Sequence, residues 1–175
     1  MNFSANQVNQ LGDLQTTYNW IISFSGPSAA PIASEDLHLR CTSTSIPERT
    51  SELLEVQLHG HTILRPGKVT QNGEITLNFV EDVDATVMAN LRAIEQAMWS
   101  ADDVQDSKGT RADYSELKFN ITMILQDHKD VGKQTYTIKD CLLKNLSAGG
   151  ELNSDNDFFK PALTVSYNYF NWKKN

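Results

Sequence analysis

Apolar residues recur at every second position in several short stretches of this chain, the signature of strands with one buried face. Tyr18, Trp20, Ile22 and Phe24 share one face of a first predicted strand, Asn19, Ile21 and Ser23 the other, and Gly26-Pro27 ends it. After a loop over 25–36, Leu37, Leu39 and Cys41 alternate again and predict a second strand over 37–42, with Pro47 marking its exit. From Ser51 to Gln71 the pattern is that of a ribbon, its arms Leu53 to His59 and Thr62-Ile63-Leu64 separated by Gly60 and followed by Arg65-Pro66-Gly67. Such a hairpin tends to project. Asn72-Gly73 is a strong turn signal that launches Ile75-Thr76-Leu77-Asn78-Phe79, with Ile75, Leu77 and Phe79 on one face.

The period then changes. Val87, Leu91, Ile94 and Met98 recur at helical spacing, with Asp82 or Asp84 placed to cap the start, and predict a helix over about 84–99. Residues 100–115 read as a polar surface loop. Leu117, Phe119, Ile121, Met123 and Leu125 form the longest alternating run, Asp127 to Gly132 a turn, and Thr135 to Lys139 its hairpin partner, with Leu142, Leu143 and Leu146 continuing a strand or bridging to the next. After Gly149-Gly150 comes Leu163-Thr164-Val165-Ser166-Tyr167-Asn168-Tyr169, whose apolar side, Tyr169 included, predicts core. The opposite side, Thr164, Ser166 and Asn168, carries no charge, so it either lines something wet or meets another protein.

These elements add up to a mainly β fold: an antiparallel β-sandwich or barrel of about seven to eight strands with one flanking α-helix. A length of 175 residues suits a single domain over 1–175, preceded by a polar, unpatterned arm at 1–17 that orders only on contact with a partner.

Charge narrows the function. The net charge is -7, and residues 1–100 hold 11 acids against 5 Lys and Arg, whereas no basic run exceeds Lys173-Lys174. A phosphate-gripping surface needs a basic patch, so the balance argues against direct nucleic-acid binding. An acidic surface beside DNA repels it, which suits a conduit better than a clamp. Cys41 and Cys141 lie far apart without metal spacing and read as reduced, largely buried thiols. The first residues lack a basic, then apolar, leader pattern, and no segment approaches a membrane span, so synthesis and folding in a cytoplasm are expected.

Candidate chemistry is sparse. His59 and His61 would share one side of a strand, but two ligands do not make a metal site, and neither His38 nor His128 lies near them in sequence. Asn153, Asp155 and Asp157 start like a calcium loop, yet Phe158 stands where the turn glycine belongs, so an Asx-rich turn is the better reading. Glu81, Asp82 and Asp84 are explained by helix capping. No serine sits in a nucleophile elbow and no glycine-rich cradle precedes the helix. Neither an enzyme nor a cofactor site is predicted.

In this order the elements resemble the tail-tube proteins of contractile-tailed bacteriophages. The residues that carry the resemblance are Asn19 to Phe24, Leu39 to Pro47, the ribbon ending Leu58-His59-Gly60-His61, and Gly73 to Asp82 leading into a helix closed by Trp99. Ile138 to Ser147 and Leu163 to Tyr169 complete it, so that it spans about 18–172. The resemblance implies a virion protein that assembles as hexameric rings stacked into a hollow tube, through which DNA passes as transient cargo. Sheath, baseplate and tail-terminator proteins are the other partners it implies. The alternatives are a baseplate tube initiator or an injection-system tube of the same fold and, from another class, a monomeric ligand-binding β-barrel.

Within that picture the projecting ribbon at about 46–71 is the first candidate for ring stacking, through Glu48, Arg49, Glu52, Glu55, His59, His61 and Arg65. The arm at 1–17 and the tail at Trp172-Lys173-Lys174 come second. A lumen that passes DNA without holding it needs small hydroxyl and amide side chains rather than Lys or Arg. The candidates for lining or subunit contact are Thr76, Asn78, Asn120, Thr122, Thr164, Ser166 and Asn168.

Overall fold

The computed structural model describes residues 17–28, 30, 32, 34–98, 113–149 and 158–175. The proposed arm, apart from Thr17, lies outside these residues, as do Trp99, most of the loop over 100–115 and the Asn153–Asp157 turn. The described strands are β1 (Trp20–Ser25), β2 (Cys41–Thr44), β3 (Thr50–Leu58), β4 (His61–Thr70), β5 (Gly73–Phe79), β6 (Phe119–Gln126), β7 (Gly132–Ser147), β8 (Ala162–Tyr167) and β9 (Tyr169–Lys174). Three helices accompany them: α1 (Ser34–Arg40), α2 (Thr86–Met98) and the single turn α3 (Tyr114–Leu117).

The fold is mainly β, one curled antiparallel path in the order β1-β6-β7-β8-β5-β2, with β9 added beside β7. It divides into two wings because β7 is long enough to serve both. Its first half pairs with β6 and β9, and Leu142–Ser147 pair with β8. The change of wing falls at Asp140, whose φ of 55° puts a left-handed kink in the strand. The Asn120 carboxamide accepts the N–H of Asp140 at 3.3 Å and fixes the kink. Strand β8 turns the same corner at Asn168 and continues as β9. Wing 1 is thus β1-β6-β7-β9 and wing 2 is β7-β8-β5-β2.

The inner faces of both wings meet in one core. Ile22, Ile121, Met123 and Ile138 of wing 1 pack with Ile75, Leu77, Leu163 and Val165 of wing 2, and Val87, Leu91, Ile94 and Met98 of α2 join them. The helical stripe and most of the alternating faces are therefore buried as the periodicity predicts. Two upstream carboxylates start α2. Glu81 accepts the N–H groups of Val87 and Met88, and Asp82 accepts that of Thr86 at 2.8 Å while pairing with Arg40 at 2.6 Å. Between them they satisfy the first orphan donors of the helix, and the negative charge suits its N-terminal dipole.

Two predicted elements are corrected. Of the strand predicted over 37–42 only Cys41 and Thr42 are strand, at the start of β2: α1 runs to Arg40, and Leu39 is 78% exposed while Leu37 is fully buried. Acidic Glu35 and Asp36 in its first turn and His38 and Arg40 in its last favour a helix that spacing by two could not reveal. Tyr169 is not core. The strand breaks at Asn168, so the phase flips: Tyr169 is 38% exposed and Phe170 is buried in its place.

The β6–β7 turn is held by Asp127, whose carboxylate accepts the N–H groups of Lys129 at 2.8 Å and Val131 at 3.0 Å and pairs with Lys133 at 3.0 Å. The Val131 bond first, then those to Lys129 and Lys133, hold its pKa at about 2. Because this lies below the ordinary value near 4, its stabilising effect is complete above that value and is lost as pH falls from about 4 to about 2. An acid unfolding profile of D127N is expected to lack that step, and an unchanged profile would count against the assignment.

Candidate assembly surfaces

Strands β3 and β4 pair with each other and, among the described residues, with no other strand. They close on a two-residue turn, His59-Gly60, with φ of 48° and 83°, the left-handed pair that fits the twist of a tight hairpin. His59 therefore sits at the tip and His61 opens the return strand opposite Leu58, so the two do not share one strand face. The return arm is longer than its Thr62–Leu64 pattern predicts and runs to Thr70.

Register sorts the hairpin into two faces. Val56 lies opposite Ile63, Leu54 opposite Arg65 and Leu58 opposite His61, so Leu54, Val56, Leu58 and Ile63 form a mostly apolar face, exposed along its length, that His61 and Arg65 share. Glu55 lies opposite Leu64 on the other face. The charged candidates Glu52, Glu55 and Arg65 are exposed, as expected of a projecting ribbon, but the larger feature is this row of exposed apolar side chains, which the choice of charged residues passed over. At the root the side chains are engaged. The Arg49 guanidinium stacks 5.0 Å from the Phe170 ring centroid and donates to the Phe170 carbonyl at 3.4 Å. The Tyr167 hydroxyl bonds the backbone of Glu48, and burial pushes that phenol's pKa up. Tyr167 also explains Gly73, where a Cβ would lie 2.8 Å from the hydroxyl oxygen.

The neutral candidates fall on two different surfaces. Thr76, Asn78, Thr164 and Ser166 lie on the outer face of wing 2. There the Thr76 and Thr164 hydroxyls hydrogen-bond at 3.2 Å, and Asn78 donates to the Ser43 hydroxyl at 2.9 Å. Thr122 lies instead on the outer face of wing 1, in a row with Ser23, Thr137 and Asn171. Asn120 shares that wing and serves the β7 kink, and Asn168 occupies the corner between β8 and β9.

A pocket of about 220 Å³ opens where β2 passes β1 and β6, lined by Thr17, Trp20, Thr42, Ser43, Thr44, Ile46, Met123 and Leu125. It is smaller than the roughly 300 Å³ at which small-molecule sites begin. Burial pushes the pKa of both free thiols, Cys41 and Cys141, up to about 12. Among the described residues no cluster of three or more His, Cys, Asp or Glu could hold a metal, and no helix is long and apolar enough to cross a membrane.

A family model described as phage tail tube protein matches residues 10–174. The chain belongs to the phage tail tube protein family. No curated protein sequence matches it. Among solved structures, a chain of the anti-feeding prophage tube-terminating cap superposes with a TM-score of 0.63 at 12% identity, covering 94% of each chain. A chain of the sheath–tube complex of the extracellular contractile injection system PVC, in its extended state, gives 0.62 at 15% identity, covering 99% of this chain and 100% of that one. The SPP1 tail tube gives 0.51 at 11%, covering 93% and 80%. At these identities the likeness is one of fold, and it extends the tail-tube fold to contractile injection systems. As a family member the chain is a structural tube component.

Proposed function

We propose that this tail tube protein assembles as six-membered rings that stack into the hollow tube of a contractile phage tail, through which DNA passes into the host. The observation that carries the reading is the self-paired hairpin with its exposed apolar face. A lone two-stranded hairpin is marginal in water, and such a face calls for a cover. The occupant proposed is the next ring of the same chain, with the mostly apolar face as the stacking surface, His61 and Arg65 on that face, His59 at the tip, Glu52 and Glu55 as further contacts, and Arg49 fixing the hairpin at its root. The arm at 1–17 and the C-terminal tail contribute further contacts in this scheme. Sheath, baseplate and terminator proteins are the partners of the finished tube, which is made in the host cytoplasm and ends in the virion. Negative-stain electron microscopy of the purified protein tests the proposal. Long hollow rods are expected. Single rings that never stack would favour a tube initiator, and a persistent monomer that binds hydrophobic dyes would favour a ligand-binding barrel.

A further inference from the structure

Stacking, the reading on which this inference rests, asks the hairpin to meet the next ring at a set angle. Among the described residues, however, β3 and β4 pair with no other strand and place no side chain in the core. The angle must therefore be held at the root. Two legs of chain form that root: Glu48-Arg49 leads into β3, and Gln71-Asn72 leads from β4 to Gly73. Both meet the corner at which β8 gives way to β9.

Tyr167, the last residue of β8, touches both legs. Its hydroxyl bonds the Glu48 backbone, and Gly73 lies so close that a Cβ there would be 2.8 Å from the hydroxyl oxygen. Past the break at Asn168, the Phe170 ring stands edge-on to Tyr167, with 6.2 Å between centroids and 83° between planes, an arrangement that ring quadrupoles favour. The Arg49 guanidinium then covers the Phe170 ring at 5.0 Å and donates to the Phe170 carbonyl at 3.4 Å. An exposed cation thus caps a buried ring that a second buried ring braces. Arg49 has no place in the core cluster, so its contact serves the hairpin leg rather than the body.

We infer that Arg49, Phe170 and Tyr167 form a latch that presents the hairpin in the orientation stacking requires, with Arg49 a positioning residue that need touch nothing in the next ring. A hairpin on two free legs would sample many orientations, and stacking would have to freeze them. A latched hairpin has given up that freedom on folding, so less is lost on assembly. The latch also ties the hairpin to the corner both wings share, because Phe170 belongs to β9 of wing 1 and Tyr167 to β8 of wing 2. A hairpin held by the next ring therefore bears on both wings at once. The cation–ring contact is exposed and so of modest strength, which makes its loss a several-fold effect on assembly rather than an abolition.

The Arg49→Ala variant of the full chain tests the latch in two ways. The concentration at which rods first form, followed by light scattering, is expected to rise about fivefold. Below that concentration, a maleimide dye on Gln57→Cys reports the swing of the hairpin, and its residual anisotropy is expected to fall. Gln57 is exposed and lies opposite Thr62, off the face that carries Val56. Burial pushes the pKa of both native thiols up to about 12 and keeps them unreactive, so the dye selects the new cysteine. Arg49→Lys, which keeps a cation over the ring, should recover part of both losses. Phe170→Leu, which keeps an apolar side chain but removes the ring face, should match Arg49→Ala and stands in for it if that variant does not fold. Rods from Arg49→Ala at the unmodified concentration would overturn the latch and leave stacking standing. So would a raised concentration with unchanged anisotropy, which would make Arg49 a direct contact with the next ring. An unmodified chain that forms no rods at any concentration would overturn stacking and latch together.

Discussion

Replacing Val56 and Ile63 by aspartate is expected to abolish rods while leaving a folded protein. The two residues face each other across β3 and β4 at the centre of the apolar hairpin face. Neither belongs to the core, which is built from other strands and α2, so the melting temperature should move by only a few degrees. At the proposed stacking contact the change would be far larger. Burying a carboxylate without a partner costs several kcal/mol, and each ring repeats the cost at every copy. The check is sedimentation with electron microscopy beside a thermal melt, and normal rods from V56D/I63D would remove the hairpin from stacking. Replacing Glu52 and Glu55 by alanine should have a much smaller effect, because exposed charges contribute little.

The contrast between those variants shows where the sequence is legible. Strands with one face on the core declare themselves: Ile75, Leu77 and Phe79 alternate, and all three are buried. The stripe of α2 is as plain. Local signals fail where two periods agree over few residues, as at Leu37 to Arg40, where spacing by two matched a strand but α1 forms. They fail again at Asn168, where one break flips Tyr169 outward and Phe170 inward. Periodicity also says nothing about what lies beneath a face. The hairpin alternates like a core strand, yet it covers no core of its own.

The neutral candidates had a different obstacle. Thr76, Thr122 and Thr164 look alike along the chain, and only register separates them. Thr76 and Thr164 are cross-strand neighbours, whereas Thr122 pairs with Ser23 and Thr137. The bonds that engage the two edges of wing 1, His38 with Ile22 and Arg49 with Phe170, join residues 16 and 121 apart in sequence. No single-sequence pattern encodes them.

That separation leads to the second large effect. Lysine at Thr164 is expected to slow DNA ejection by about an order of magnitude or more, and lysine at Thr122 to leave it nearly unchanged. Thr164 stands mid-strand on the outer face of wing 2, beside Thr76 and Asn145 and away from any acid in its row. Ser166 is a poorer choice, because Glu74 lies opposite and would neutralise a lysine there. In the proposed six-membered rings, six added charges per ring, repeated along the tube, would turn a surface that repels or ignores phosphate into one that holds it. Each contact exchanges a counterion, so the delay should shrink steeply as salt rises. With wing 2 proposed at the lumen, Thr122 on the outer face of wing 1 would offer no such path to DNA. Ejection kinetics of phage carrying either variant, followed by a DNA-binding dye at two salt concentrations, separate the cases. A salt-dependent delay at Thr122 with none at Thr164 would exchange the wings, putting wing 1 at the lumen.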